Sequence, residues 1–147
     1  MSALDWLPPL RYLLLGTFPD GPLGGAALTV AMSIVSALLS AWFGLAGGIA
    51  LSMTRGAVHL ALTAVVGFFR AIPVLMLIFW TFFLLPVMFH VNVPGLAAVV
   101  CALSLIGGAY LAHSVHAGIL AVGEGQWQAG LSLGLTRMQV LRYVLLP

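Results

Sequence analysis

The chain has 147 residues, of which 63% are hydrophobic and only 5% charged, with five Arg, three acids and no Lys. A water-facing domain carries about a quarter charged residues, so this composition excludes a soluble globular protein and fits an integral membrane one. The formal charge of +2 comes from scattered arginines that form no basic stripe, which excludes nucleic acid as a partner, and the single Cys101 allows no internal disulfide.

Residues 1–25 hold Asp5, Trp6, Pro8, Pro9, Arg11, Tyr12, Pro19, Asp20 and Pro22. A cleaved signal peptide needs a basic start and an unbroken apolar run. Here the start is acidic and the prolines interrupt any long helix. Trp6 and Tyr12 suit a membrane interface, so the segment reads as a retained interfacial leader. Residues 26–53 carry no charge at all. About 20 apolar residues cross a bilayer core, which makes this the first membrane helix, ended by Arg55. Gly44, Gly47 and Gly48 give it a small surface that is either a place of close helix approach or simply glycine tolerated in a membrane helix.

Residues 57–85 are apolar apart from His59 and Arg70. Two layouts fit: one helix over residues 64–85, or a surface helix to Phe69 followed by a span from Ile72. In both, Arg70 is expected at or near an interface, because a cation at the bilayer centre costs at least about 2.5 kcal/mol. It either lines a path for an acidic group or, the preferred reading, anchors the chain to headgroups. Pro73 falls in the first turns of a helix, where a missing N–H does little harm. Residues 86–94, with His90 and Asn92, read as a polar turn. Residues 96–117 form the next span, whose Ser104, Gly107, Gly108 and Ala109 suggest burial among other helices. His113 and His116 share a face of it, but no further ligands of metal-site spacing are evident.

Residues 118–147 differ in kind, mixing Glu124, Gln126, Gln128, Arg137, Gln139 and Arg142 with spaced apolar residues. The local grammar is helix, turn, helix. Gly130 is the weak point of the first helix and Gly134 can take the left-handed conformation that ends it. Thr136 with Gln139 fits a capping box that starts the second. Trp127 and Leu131 are expected on one face, and Met138, Leu141 and Leu145 on another.

The same tail resembles the cytoplasmic coupling loop of ABC importer permeases, the EAA motif: Glu-Ala-Ala, three residues, Gly, nine residues, then Ile-x-Leu-Pro. This chain has Gln128-Ala129-Gly130, three residues, Gly134, nine residues, and Val144-Leu145-Leu146-Pro147. Every spacing is kept; the acid is replaced by the neutral Gln128 and the second Ala by Gly130. Phe68-Phe69-Arg70-Ala71-Ile72-Pro73, Leu84-Leu85-Pro86, Ala109-Tyr110-Leu111 and Ala117-Gly118-Ile119 are similar to stretches of the polar amino acid permease branch, with Phe69 to Pro73 leaning to its acidic amino acid members. The resemblance implies an all-α integral membrane protein with about three transmembrane helices and a cytoplasmic helix-turn-helix coupling loop, a partial type I ABC importer transmembrane domain. Residues 1–25 would be the leader, 26–147 the domain, and 118–147 its coupling loop. Family chains continue past the Leu-Pro into more helices, so a fragment, a truncated gene or a second polypeptide is implied.

It further implies docking of an ABC ATPase, which holds the ATP, on Gly125, Gln126, Trp127, Gln128, Ala129, Gly134, Leu146 and Pro147. Arg70 and Pro73 would lie near the substrate path. A second permease subunit, identical or not, a periplasmic substrate-binding protein and membrane lipid complete the expected partners; the chain itself needs no cofactor and holds no catalytic residue. If the first span runs inward, Arg55, Arg70, Arg137 and Arg142 all fall on one side, and the positive-inside rule makes that side the cytoplasm of a bacterial inner membrane. The competing readings are a small membrane scaffold with no transport role and a membrane enzyme using His113 and His116.

Overall fold

The computed structural model describes residues 7–90 and 92–145. Helix α1 (Leu7–Leu15) is followed by a tight return in which the Gly24 amide donates to Leu15 O at 3.1 Å. Helix α2 (Gly25–Met53) and helix α6 (Gly95–Ala121) have 29 and 27 residues and are long and apolar enough to cross a membrane. Between them lie α3 (Gly56–Ala71), α4 (Val74–Phe79), a π turn (Trp80–Leu84) and α5 (Leu85–Phe89). The chain ends with α7 (Glu124–Ser132), the single turn α8 (Arg137–Val140) and a second π turn (Leu141–Leu145).

The core is the seam between α2 and α6. Ser36, Ser40, Gly44 and Gly48, spaced by four, are buried along one face of α2. They meet Ser104, Gly108 and Ala112 of α6, which are buried at the same spacing. The helices run parallel in a constant register: Ser40 pairs with Ser104 and Ser52 with His116, each 64 residues apart. With no side chain in the way at Gly44 and Gly48, the backbones approach closely, and Ser40 Oγ reaches the Ser104 carbonyl at 3.3 Å. Of the two readings of Gly44 and Gly48, close approach is the one observed. Outward from this seam Leu38, Trp42, Leu75, Phe79 and Val87 are exposed. So much uncovered apolar surface belongs against hydrocarbon or other helices.

Between α2 and α6 lies a bent pair of helices, which makes a third span if its two arms are taken together. Helix α3 and the helical run 74–89 meet at 100° across Ile72 and Pro73, the second of the two expected layouts. Pro73 has no N–H to continue the α3 ladder, so α3 closes with the Ile72 amide on Phe68 O. The helix then runs past Pro86, where a turn was expected, and stops only at His90, whose φ is 53°. The π turn just before Pro86 explains why. A proline ring crowds the carbonyl four residues back and cannot donate, and widening by one residue relieves both problems. Thr81 Oγ ties this run to Ala98 O of α6 at 3.2 Å.

Candidate functional site

The α7–α8 hairpin hangs from the end of α6 through Gly123, whose φ of 81° and ψ of 156° lie in a region essentially restricted to glycine. Helix α7 ends in a Schellman motif. The Leu135 amide donates to Gly130 O at 3.2 Å and the Gly134 amide to Leu131 O at 3.0 Å, with Gly134 at φ 80°. One residue later the capping box forms. The Gln139 amide donates to Thr136 Oγ1 at 3.3 Å and the Thr136 amide to Gln139 Oε1 at 2.8 Å. Both turn signals read from the residues are therefore present in the geometry.

The hairpin's packing differs from the expected faces. Val140 and Leu141 are fully buried, whereas Met138 is 56% and Leu131 42% exposed. Val140 packs on Gly130 of α7, and Met138, two residues back and about 200° around the helix, faces outward. A Cβ at Gly130 would lie 2.7 Å from Val140 Cγ2, so the glycine that departs from the motif is the hole into which Val140 fits. Leu133, which residue spacing did not single out, is 81% exposed at the turn, and Tyr143 is exposed as well. The signal for Leu133 was its position just before a helix-ending Gly, where an apolar side chain has no helix face to join.

Gly125, Gln126, Gln128 and Ala129 are exposed on α7, and Trp127 is half-buried. Leu146 and Pro147 lie outside the described residues. A cleft of about 380 Å³ separates α7 from the ends of α2 and α6, with Arg55, Trp127, Gln128 and Arg137 in its lining. Thus the neutral amide that replaces the motif's acid faces a cleft shared by two arginines.

Above the cleft, His116 joins not His113 but two residues of other helices. Ser52 Oγ donates to Gly48 O at 2.8 Å and lies 2.9 Å from His116 Nδ1. His59 Nδ1 donates to Leu51 O at 3.0 Å, and its ring centre is 5.7 Å from that of His116. These bonds knit α2, α3 and α6 together at the hairpin end. His113 is exposed, and among the described residues no group of three or more His, Cys, Asp or Glu is placed to hold a metal ion.

Arg70 is half-buried against α6. Tyr110 Oη donates to Arg70 O at 3.3 Å, and the Arg70 guanidinium sits 5.2 Å from the Tyr110 ring centre. At 1.5 Å per residue, Tyr110 is about 22 Å along α6 from Gly95 and about 16 Å from Ala121. The two stretches similar to polar amino acid permeases, one around Arg70 and one around Tyr110, are therefore in contact. Pro73 sets the bend that brings them together.

These features define a class: a multi-pass α-helical membrane protein that carries a folded hairpin of exposed apolar residues on the end of a spanning helix. No protein-family model matches the chain. It is 30% identical to the glutamine transport system permease protein of Escherichia coli over 133 residues, covering 84% of this chain and 57% of that protein. It is 32% identical to the L-cystine transport system permease protein of Bacillus subtilis over 124 residues, covering 84% of this chain and 53% of the relative. The glutamate/aspartate import permease protein of Escherichia coli is 27% identical over 158 residues, covering 100% of this chain and 66% of its own length. Among solved structures, an amino acid ABC transporter with histidines matches at a TM-score of 0.73 and 26% identity, covering 100% of this chain and 64% of that one. An inward-facing methionine ABC transporter matches at 0.75 and 28%, covering 100% and 65%. The chain thus spans a little over half the length of the glutamine and cystine permeases it matches. It is a homologue of the amino acid ABC importer permeases, and its fold is that of an ABC importer transmembrane domain over the matched residues. Its relatives are transport permeases, not enzymes.

Proposed function

We propose that the chain is a permease subunit of an ATP-driven ABC importer of polar amino acids. One observation carries the reading: the hairpin with Gln128, Ala129, Gly130 and Gly134 at the motif's spacing folds as a compact knob and leaves Leu133, Met138 and Tyr143 uncovered. Those side chains, with Gly125, Gln126 and Ala129, would fill a groove on the ATPase subunit. Glutamine, cystine, and glutamate/aspartate are named for the permeases it resembles, which supports a polar amino acid substrate and leaves an acidic one within the class.

The chemistry is mechanical. ATP binding in the partner closes the ATPase pair and hydrolysis reopens it, the knob moves with it, and Gly123 passes the movement to α6. Docking must differ in strength between the two states, since equal docking shifts nothing; reversing a 1:99 population takes about 5.5 kcal/mol of differential contact. A second permease subunit, identical or not, would close the path near Arg70 and Pro73, and a periplasmic binding protein would deliver the amino acid. The hairpin then lies in the cytoplasm of a bacterial inner membrane, on the side where Arg55, Arg137 and Arg142 are retained.

Purification of the tagged chain from its own membranes tests this. An ABC ATPase is expected to co-purify, and Gly134→Trp, which forces a bulky residue into φ 80°, is expected to lose it while remaining membrane-inserted. A wild-type chain that brings down no ATPase, or a labelling reagent that reaches Arg137 from outside intact cells, would end the proposal.

A further inference from the structure

The two long helices end at one place. Met53 closes α2, with Arg55 two residues on, and Leu120 lies in the last turn of α6; all three line the cleft of about 380 Å³ beside α7. Helices of 29 and 27 residues are about 43 and 40 Å long. A bilayer measures about 30 Å across its hydrocarbon and about 40–45 Å with its headgroups. A cleft at the common end of two such helices therefore lies among headgroups. Its lining suits that layer. Arg55 and Arg137 bring two cations to it from separate elements. Glu124 lines the cleft as well, but it stands in the first turn of α7, where the helix dipole already favours an anion. Among the described residues no carboxylate oxygen lies within 4.0 Å of either guanidinium. Half-buried Trp127 and the apolar Met53 and Leu120 set grease beside this charge, as a headgroup joined to its acyl chains requires. At position 128 the motif's acid would bring a second negative charge into the space, whereas the amide of Gln128 offers N–H donors.

We infer that the cleft is a binding site for the phosphodiester of an anionic phospholipid, phosphatidylglycerol being the simplest, held between Arg55 and Arg137 with Gln128 donating to it. A guanidinium pairs with two phosphate oxygens at once, and basic pockets beside membrane helices hold anionic headgroups by that chemistry. A free phosphate ion has the same chemistry, but the apolar part of the lining gives it nothing to bind. A lipid seated there lies between α7 and the ends of α2 and α6, so it fixes the angle at which the hairpin leaves Gly123. The inference needs only that α2 and α6 cross the bilayer, and it stands apart from the permease reading.

The test uses the full chain in mild-detergent micelles doped with phosphatidylglycerol or phosphatidylcholine, read by native mass spectrometry. One phosphatidylglycerol is expected to stay bound under activation that strips phosphatidylcholine. Arg55→Gln and Arg137→Gln are each expected to raise the half-saturating mole fraction by roughly fivefold, the effect of one headgroup-facing cation. Arg55→Lys keeps the charge and is expected to retain most of the binding, which separates a lost contact from a misfolded variant. Gln128→Glu is expected to weaken binding at least as much, by returning the acid to the cleft. Arg142→Gln is the control, since Arg142 lies over the Tyr143 ring at 5.9 Å and is not in the cleft's lining. Equal retention of the two lipids, or equal loss in the Arg142 variant, overturns the inference. So does millimolar inorganic phosphate binding where no lipid is retained, which assigns the cleft to a soluble anion. A cleft that holds no lipid, in a chain that loses the ATPase on Arg55→Gln, belongs to an acidic side chain of that subunit and overturns it too. A chain that keeps the lipid but captures no ATPase sinks the permease reading alone.

Discussion

Replacing Gly48 by Ala tests the α2–α6 seam with a single methyl group. A Cβ there would lie 2.5 Å from Val115 Cβ and 2.9 Å from the Ala112 carbonyl oxygen. Ordinary carbon contacts begin near 3.5 Å, so the helices must part by about 1 Å. The Ala112 oxygen is backbone in a helix and cannot rotate away. Overpacking of this kind costs about 1–3 kcal/mol, which raises the opening equilibrium by roughly 5- to 150-fold. Gly118→Ala is the matched control, since its Cβ would meet nothing within 4 Å. In a helix that change should stabilise by about 0.5–1 kcal/mol. The readout is a thiol placed at Ser104, which is only 1% exposed, in a Cys101→Ser background. Its maleimide reactivity in mixed micelles tracks opening of the seam. Gly48→Ala should react faster and Gly118→Ala no faster than the parent. Equal rates for all three would refute the close-packed seam.

The hairpin yields three further expected outcomes. Gly130→Ala should destabilise it by about 1–3 kcal/mol, and adding Val140→Ala should recover part of the loss rather than deepen it, as read by amide exchange across α7. Thr136→Ala removes the capping acceptor and should cost about 0.5–2 kcal/mol, seen as faster exchange of the Gln139 amide with the membrane helices unaffected. Leu133→Glu leaves the fold intact because the side chain is already in solvent, yet it should weaken ATPase association by about tenfold or more, measured by co-purification yield against wild type. Unchanged yield would place the docking contact elsewhere on the knob.

Local rules explain which parts of this structure were readable in advance. Gly134 and the Thr136–Gln139 pair act within a few residues, so residue type decided their geometry. The spans at α2 and α6 were legible because length and apolarity decide them. The bend at Ile72 and Pro73 was one of two layouts; Pro73 marks its place, and the Tyr110 hydroxyl that meets the end of α3 lies 40 residues away. His116 finds Ser52 at a separation of 64, which no local pattern reports. The π turn before Pro86 carried the helix through a residue that reads as a stop, and the contact of Val140 with Gly130 across the hairpin, which no local pattern reports, left Met138 facing outward. The contact of Arg70 with Tyr110 likewise joins residues 40 apart, beyond the reach of any local pattern.

The constant offset between α2 and α6 bears on how motion would travel. Because the two rods run the same way and interlock at every fourth residue from Ser40 to Ser52, neither can slide or turn alone without driving backbone into backbone. Torque entering where Ala121 meets Gly123 is therefore shared at once by both, as in a splined shaft. It would emerge at the opposite end, around Gly25 and the return to α1, some 40 Å from where it was applied.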